Sequence, residues 1–441
     1  MDKGDFEKSF NLFHFKLYKQ LLSNNSKKNV LWSPFLVHLT STKLYLCSSG
    51  KTSNELSTLL NYDPKLSKRD PARNVRNILS TIINDRYTWY SEKTLINEEH
   101  TLNDKINHTL EKYFGEGSHF YKVNFVKQER VTRKINALVE NDTNHAVQSF
   151  MKDDVATGSH AVGVQVLYFK GQWEKGFNQE DVRMHPFWIN DKEMIQIEMM
   201  FARNEFKYGT LKNWKSTVLE LDFYKSDLSF LILLPNSKTG LKNLESKLCG
   251  KNAVKVFSTI DDCLTSKGVN IAIPKFILDI DITDIDKNLK KIGMTSIFDP
   301  KICDLTEAIQ DPNIPISISK IIHKSIIKLQ TRGKSVPANP MLFDTNTPNF
   351  MVDHPFMFFV RVKKSPICLL SGSIRKLEAI PLAQPNQNMY QIPAPLGMMP
   401  PPGMMPPPGM MPPPGMMPPP GMMPPPGMMP PPGMMPLQGM M

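Results

Sequence analysis

Several features that would assign this chain to a common class of protein are missing from its sequence. No run of eighteen or more apolar residues occurs, which excludes an ordinary membrane-spanning helix. Residues 1–22 scatter charged side chains where a signal peptide needs an uninterrupted apolar core. We therefore expect no cleavable leader, and either a cytoplasmic location or export without a leader.

Cysteine is scarce as well. The five cysteines are an odd number, lie far apart and form no C-x-x-C pair. This spacing argues against a disulfide framework and against a zinc site, so we expect single buried thiols. No metal or other cofactor is expected.

The common enzyme motifs are absent: there is no G-x-S-x-G, H-E-x-x-H or G-x-G-x-x-G. Residues 48–53, SSGKTS, end like a phosphate-binding loop, but Tyr45 stands where that loop requires its first glycine. His14, His323 and His354 have no neighbouring serine or cysteine that spacing alone would mark as a nucleophile. These absences leave the chain without a recognised catalytic motif, and by themselves they indicate no particular function.

Charge divides the chain into two parts. Glu378 is the last charged residue, so the formal net charge of +11 lies entirely before the C-terminal stretch. That stretch repeats GMMPPP six times over residues 397–432. Such composition favours polyproline II and forms no core. We predict a folded domain over residues 1–380 and a disordered Pro/Met/Gly-rich tail over 381–441.

The tail has two interpretations. Its PPPGM unit resembles the ligands of GYF-type adaptor domains, which predicts a polyproline-binding adaptor as partner, with avidity from the copies. Neutral expansion of the repeat by replication slippage explains the same pattern without a function.

Hydrophobic periodicity indicates helices first and strands later. Apolar residues spaced by three and four positions from Phe6 to Leu21 predict an opening helix. Further helical stretches are predicted near residues 34–46, 53–60, 72–84, 103–114 and 128–148. β-Branched and aromatic runs predict strands at 162–169, 216–223, 228–235, 269–276, 316–329, 355–362 and 367–374. This order favours an α+β fold with antiparallel or mixed sheets.

Ten segments, in order, resemble signature segments of the serpin family, across residues 6–380. They are NVLWSPFLVHL (29–39), SSGKTSNEL (48–56), KINALVENDTNHAV (134–147), VGVQVLYFKGQWEKGF (162–177), IEMMFARNEF (197–206), VLELDF with SFLILLP, IPKF (273–276), LKKIGMTSIFD (289–299), SKIIHKS (319–325) and FMVDHPFMFFVR (350–361). Two positions depart from the family pattern: Leu138 replaces a usual Trp, and Gln165 a usual Asn.

The resemblance implies one large domain with three sheets, about nine helices and an exposed reactive loop at about 333–349. In inhibitory members, a serine protease cleaves this loop and forms an acyl ester. The hinge at the start of the loop then inserts as a new strand of the main sheet. The expected function is therefore serine-type endopeptidase inhibition by a suicide substrate.

The hinge of this chain departs from the family pattern E-E-G-T, because residues 331–339 read TRGKSVPAN. Gly333 fits, but Lys334 occupies a position whose side chain turns into the core on insertion. Burying an unpaired ammonium costs on the order of several kcal/mol. Pro337 and Pro340 lack the amide hydrogen of a central strand, at roughly 3 kcal/mol each. The alternative is thus a non-inhibitory serpin that acts as a binding or scaffold protein through its loop and tail.

The cleavage site is not fixed by the sequence. Counting from Gly333 places it near Thr347, and counting back from the DHPF segment places it near Asp344. Leu342 or Phe343 would suit a chymotrypsin-like protease, and Asp344 an acid-specific one.

The resemblance implies roles for two further sets of residues, one beneath the main sheet and one on the surface. Ser33 and His323 fall where the family keeps its shutter residues, which hydrogen-bond beneath the opening sheet. Basic residues between 65 and 76 could bind a heparin-like polyanion, as some serpins do in the corresponding region. They are Lys65, Lys68, Arg69, Arg73 and Arg76. A monomer is expected.

Overall fold

The structure is a computed structural model that describes residues 1–250, 253–311, 314–333 and 346–378. All of these residues belong to the first of two units, Met1–Pro381 and Leu382–Met441, into which the chain divides. The predicted boundary between residues 380 and 381 and the repeat tail lie outside the described residues.

Helices dominate the first third of the chain and strands dominate the rest. The nine helices of the described residues are α1 (Lys3–Asn24), α2 (Pro34–Cys47), α3 (Gly50–Leu59), α4 (Arg69–Ile83), α5 (Asp104–Phe114), α6 (Gln128–Asp142), α7 (Leu241–Leu248), α8 (Val256–Cys263) and α9 (Ile285–Lys291). The α+β class predicted from the sequence is confirmed.

The described residues form fourteen strands. They are β1 (Val30–Trp32), β2 (Thr88–Asn97), β3 (Phe120–Val123), β4 (Ala161–Phe169), β5 (Val182–Trp188), β6 (Met194–Leu211), β7 (Ser216–Asp222), β8 (Leu228–Pro235), β9 (Thr265–Pro274), β10 (Phe276–Ile282), β11 (Ile318–Leu329), β12 (Asn349–Met351), β13 (Phe356–Val362) and β14 (Cys368–Ile374).

Hydrogen bonds arrange these strands in two paths. A five-stranded sheet has the order β10-β11-β4-β2-β3, and a nine-stranded path has the order β1-β14-β13-β8-β7-β6-β9-β12, with β5 also paired to β6. The 18-residue strand β6 pairs with β7 near its end and with β9 and β5 along the rest. Three sheets were expected; within the described residues, hydrogen bonds separate two sheets, and the long strand β6 runs through the larger of them.

The helix α2 lies in the centre of the protein, and its sequence explains why it begins where it does. Ser33 is the N-cap, and its hydroxyl accepts a hydrogen bond from the Leu36 amide at 3.1 Å. Pro34 occupies the first turn, where its missing amide hydrogen is harmless. All residues of α2 are buried, so it packs on every side. Its polar residues must therefore find partners inside the protein.

The two faces of the five-stranded sheet are covered by different helices. On β4, Val162, Val164 and Val166 share a buried cluster with apolar residues of α6. Because side chains alternate along a strand, Gln165 points to the opposite face, where α2 lies. The second, larger cluster covers that face and includes much of α1 and α2.

Two predicted elements have different bounds in the structure. The stretch 128–148 is helical only to Asp142, because Asn144 and His145 have positive φ angles of 48° and 60°. The stretch 269–276 contains the end of β9 and the start of β10, which Lys275 separates.

Three further observations concern membrane-spanning helices, cysteines and metal sites. No helix among the described residues is long and apolar enough to cross a membrane. The five cysteines are free thiols; Cys47 and Cys368 are buried as expected, whereas Cys249, Cys263 and Cys303 are only partly buried. Within the same residues, no group of three or more His, Cys, Asp or Glu side chains could hold a metal ion.

Candidate functional site

The strands β11 and β4 lie side by side in the middle of the five-stranded sheet. They are parallel, and their register runs from Ile318 opposite Ala161 to Ile327 opposite Phe169. We call the line of hydrogen bonds between them the seam. The chain that leaves β11 enters the predicted reactive loop, so the seam is the part of the sheet nearest in sequence to that loop.

Polar side chains cross the sheet in one row beneath the seam. His323 of β11 lies opposite Gln165 of β4, and Gln165 lies opposite Glu92 of β2. The Nδ1 atom of His323 is 2.8 Å from Oε1 of Gln165. The backbone amide of Ser33 donates to Nε2 of His323 at 3.0 Å. Ser33 and His323, which the resemblance singled out, are thus in direct contact.

These hydrogen bonds determine the state of the His323 ring. Because Nε2 accepts from the Ser33 amide, Nδ1 carries the hydrogen and donates to Gln165. Burial lowers the pKa of His323 to about 3, so the ring is neutral near pH 7.

The row continues from Gln165 to a buried ion pair. Nε2 of Gln165 donates to Oγ1 of Thr40 at 2.7 Å, and the Thr40 hydroxyl donates to Oε1 of Glu92 at 3.0 Å. Nζ of Lys43 lies 3.1 Å from the other Glu92 oxygen. The exposed fractions of the Lys43 and Glu92 side chains are 0% and 3%, so this pair is shielded from solvent. Every one of these groups has a partner.

We call this set of residues the seam network: Ser33, His323, Gln165, Thr40, Glu92 and Lys43. Sequence reasoning identified its first two members and noted Gln165 as a departure from the family, but missed the other three. The available signal for a buried partner was Lys43, the only Lys, Arg, Asp or Glu residue of the predicted helical stretch 34–46.

A second contact fixes the start of the loop. After β11, the chain runs beside the segment that follows β4, and residues 330–332 accept three hydrogen bonds from it. The Trp173 indole donates to Gln330 O at 2.7 Å, the Trp173 amide to Arg332 O at 3.0 Å, and the Phe177 amide to Thr331 O at 3.2 Å. The seam is thereby extended beyond the ends of both strands.

Gly333 packs directly against Gly176 at this point. A Cβ atom on Gly333 would lie 2.4 Å from the Gly176 Cα and 2.8 Å from Trp173 O. A Cβ atom on Gly176 would lie 2.8 Å from backbone atoms of Gly333. Glycine is needed at both positions because two backbones touch. We call the contact of residues 330–333 with residues 173–177 the loop anchor.

The remaining predicted loop residues lie outside the described residues. They are Lys334, Pro337, Pro340, Leu342, Phe343 and Asp344. The described chain resumes at Asn346, and β12 then pairs in parallel with β9, with Phe350 opposite Ile271.

The basic residues proposed for polyanion binding lie just before α4 and in its first half. Arg69, Arg73 and Arg76 are exposed. The guanidinium of Arg73 is paired with Asp70 at 2.5 Å. Lys68 donates to Ser48 O. Part of the charge of this surface is therefore used within the protein.

The sequence profile of the family described as Serpin (serine protease inhibitor) matches residues 8–377. The chain belongs to the serpin family. Serpins are not enzymes: most are protease inhibitors that generally target serine proteases, and some are non-inhibitory.

Relatives and solved structures agree with this assignment. Intracellular coagulation inhibitor 1 of Tachypleus tridentatus is 30% identical over 379 residues, which cover 83% of this chain and 88% of that protein. Leukocyte elastase inhibitor of Sus scrofa is 28% identical over 378 residues, which cover 82% and 97%. The fold is similar to that of the maspin crystal structure, with a TM-score of 0.77 at 21% identity, over 85% of this chain and 100% of that chain.

Proposed function

We propose that this serpin inhibits a serine-type endopeptidase as a suicide substrate, through the reactive loop at 333–349. The protease serine attacks the carbonyl carbon of the scissile bond, and the peptide C–N bond breaks. The new amine leaves with a proton, and the N-terminal part of the loop stays attached to the protease as an acyl ester. Inhibition requires that the loop enter the sheet before water hydrolyses this ester.

The geometry of the loop anchor is the observation that carries this proposal. The loop leaves β11 at a point where Gly333 touches the segment that follows β4. A strand that turned back there would enter the seam antiparallel to both β4 and β11. One parallel ladder would be replaced by two antiparallel ladders, which are slightly more stable per residue. The fold thus offers a favourable destination for a cleaved loop.

The length of the seam supports a choice of the residues that would insert. The β11 residues in the seam run from Ile318 to Ile327. A strand of equal length that begins after Gly333 would take up residues 334–343, which include Lys334, Pro337 and Pro340. The peptide bonds between Leu342 and Thr347 would then be the candidates for cleavage. Leu342 or Phe343 would suit a chymotrypsin-like protease, and Asp344 an acid-specific one.

The same residues favour a second candidate, a non-inhibitory serpin. Lys334 would bring a charge towards buried side chains, and the two prolines would leave ladder acceptors without donors. Such a protein would be cleaved and released, and would act through binding by its loop and tail. The family includes relatives named as inhibitors, which keeps inhibition as the first candidate.

One experiment separates the two candidates. The protein is mixed with chymotrypsin-like, elastase-like and acid-specific serine proteases, and an SDS-resistant covalent complex is sought. The triple variant K334T/P337A/P340A removes the obstacles to insertion, and P348A changes a proline beyond the inserting segment as control. If the protein is an inhibitor, the wild type should form this complex, and the triple variant should form more of it.

The outcomes are distinct. The non-inhibitory candidate would be favoured if the wild type is cleaved without forming a complex and only the triple variant forms one. Absence of complex from both proteins, with loop cleavage intact, would contradict the proposal that this loop inserts at all.

The basic surface at Lys65, Lys68, Arg69, Arg73 and Arg76 is proposed as a site for a heparin-like polyanion. The exposed side chains of Arg69 and Arg76 support this, since they lie on one face of α4. The salt concentration that elutes the protein from immobilised heparin should fall in R69Q/R76Q. Unchanged elution would contradict this proposal.

A further inference from the structure

A separate basic cavity lies between β3 and the start of α6. Its volume is about 170 Å³. The buried side chains of Val123 and Val131 form its apolar part. Polar and charged side chains complete the lining: Glu98, Lys122, Asn124, Lys127, Arg130 and Lys134. Four basic residues and one acidic residue therefore line the same small space.

The cations of this cavity are not neutralised within the described part of the chain. None of Lys122, Lys127, Arg130 and Lys134 forms an ion pair with a carboxylate of the described residues. The nearby carboxylate of Glu129 is paired with Arg133 instead, at 3.6 Å. Like charges held around one cavity repel one another, and an anion bound among them would relieve that repulsion.

Neighbouring contacts hold parts of this cavity in place. Nζ of Lys134 donates to the backbone oxygen of Lys122 at 3.1 Å, so its ammonium stays above β3. Oε1 of Glu98 accepts from Nδ2 of Asn124 at 2.7 Å. The only carboxylate of the lining is thus engaged with a neutral donor.

We propose that this cavity binds a single phosphate or sulfate group. The cavity is too small for a long chain, but a tetrahedral oxyanion has several oxygens that can accept from ammonium and guanidinium donors at once. The site is distinct from the basic residues near α4, which spread along a helix face and partly pair with Asp70. The proposal does not rest on the proposed inhibition of a protease.

Binding can be measured on the full chain by calorimetry and by thermal unfolding. Inorganic phosphate and inorganic sulfate are titrated at pH 7 and constant ionic strength, and phosphoserine serves as a phosphate ester. We expect saturable binding and a melting temperature that rises with anion concentration, since a ligand that binds only the folded state stabilises it. Tighter binding of phosphoserine would indicate a group carried on a larger molecule, and equal binding would indicate the free ion.

Two double variants test the position of the site. K127Q/R130Q removes two positive charges from the cavity and should weaken phosphate binding at least tenfold. R69Q/R76Q removes two positive charges from α4 and should change it less than twofold. Both pairs of side chains are exposed, so we expect both variants to fold, which their melting temperatures without anion will verify. The single variant K122Q provides an independent test on β3.

Two results would overturn the proposal. The first is the absence of saturable binding by all three anions. The second is an equal loss of affinity in K127Q/R130Q and R69Q/R76Q, which would mean that the anions respond to the net charge of the protein rather than to this cavity.

Discussion

His323 and Gln165 face each other across the seam, with 2.8 Å between Nδ1 of the histidine and Oε1 of the glutamine. They lie 158 positions apart in the sequence and belong to the two strands that an inserting loop would have to separate. Any opening of the sheet at this level must break this hydrogen bond, so we expect the pair to raise the energy barrier to separation of β4 and β11.

Replacement of Gln165 by alanine should destabilise the protein by about 2 to 3 kcal/mol, because His323 and Thr40 would each lose a partner in a buried site. Urea unfolding measures this change. Q310A is a suitable control at an exposed glutamine and should have little effect. A loss in Q165A no greater than that in Q310A would mean that the seam network does not hold the strands together.

The ion pair of Lys43 and Glu92 should behave as a buried unit. K43M leaves the Glu92 charge without its partner and should cost about 3 to 5 kcal/mol. K43M/E92Q removes both charges and keeps an acceptor for the Thr40 hydroxyl, so most of the stability should return. Equal stability of the single and double variants in a double-mutant cycle would contradict this coupling.

Replacement of Gly333 by alanine should open the loop anchor, because the new Cβ atom would overlap the Gly176 backbone. We expect a loss of about 1 to 3 kcal/mol from overpacking and faster cleavage of the loop by chymotrypsin. G4A is the control, since a Cβ atom at Gly4 is no closer than 3.5 Å to its nearest neighbour. Unchanged cleavage in G333A would show that the anchor does not restrain the loop.

Acid should destabilise the protein through its buried histidines. Burial lowers the pKa values of His14, His38 and His323 to about 3, from 6.5. The unfolded chain takes up these protons below about pH 6.5 and the folded chain does not. Their contribution is therefore complete above that pH and is lost as the pH falls towards 3.

The variant H14Q tests this pH dependence. Its unfolding free energy should fall less steeply between pH 6 and pH 5 than that of the wild type, by about 1.4 kcal/mol per pH unit. Glutamine can still meet the Ser371 hydroxyl that now contacts Nε2 of His14 at 2.7 Å. Identical slopes for the two proteins would exclude His14 as a neutral buried group.

Removal of residues 385–441 should leave the melting temperature and the protease profile almost unchanged, since this segment carries no charge and few residues suited to a core. Capture by polyproline-binding domains should be lost, in steps that follow the number of repeats. Earlier melting or aggregation of the truncated protein would show that the methionines pack on the folded domain.

Sequence reasoning predicted the helices and strands that local signals mark, such as a helix cap or a β-branched run. The stretch 34–46 was predicted as helical and α2 is Pro34–Cys47, because the Ser33 cap and Pro34 mark its start locally. The strands β4 and β11 were found from their β-branched runs. Their parallel pairing could not be derived from those runs, because it depends on contacts between distant parts of the chain.

The strand β2 was missed for a related reason. Glu92 and Lys93 interrupt its apolar pattern, and both are buried. Glu92 meets Lys43, and Lys93 lies 3.0 Å from Asp142 of α6. Only the tertiary partners make these charges compatible with a buried strand, so the seam network beyond Ser33 and His323 was hidden from sequence reasoning.

The position of β13 and β14 has a consequence for folding during synthesis. β14 pairs with β1, where Ser373 lies opposite Val30, and β13 lies between β14 and β8. During synthesis, the β1 and β8 edges stay unpaired until almost the whole folded domain has left the ribosome. The reactive loop emerges before those last strands. It is therefore exposed to proteases earlier than the sheet that completes the fold, and a chain that stops short of Ile374 keeps open edges prone to aggregation.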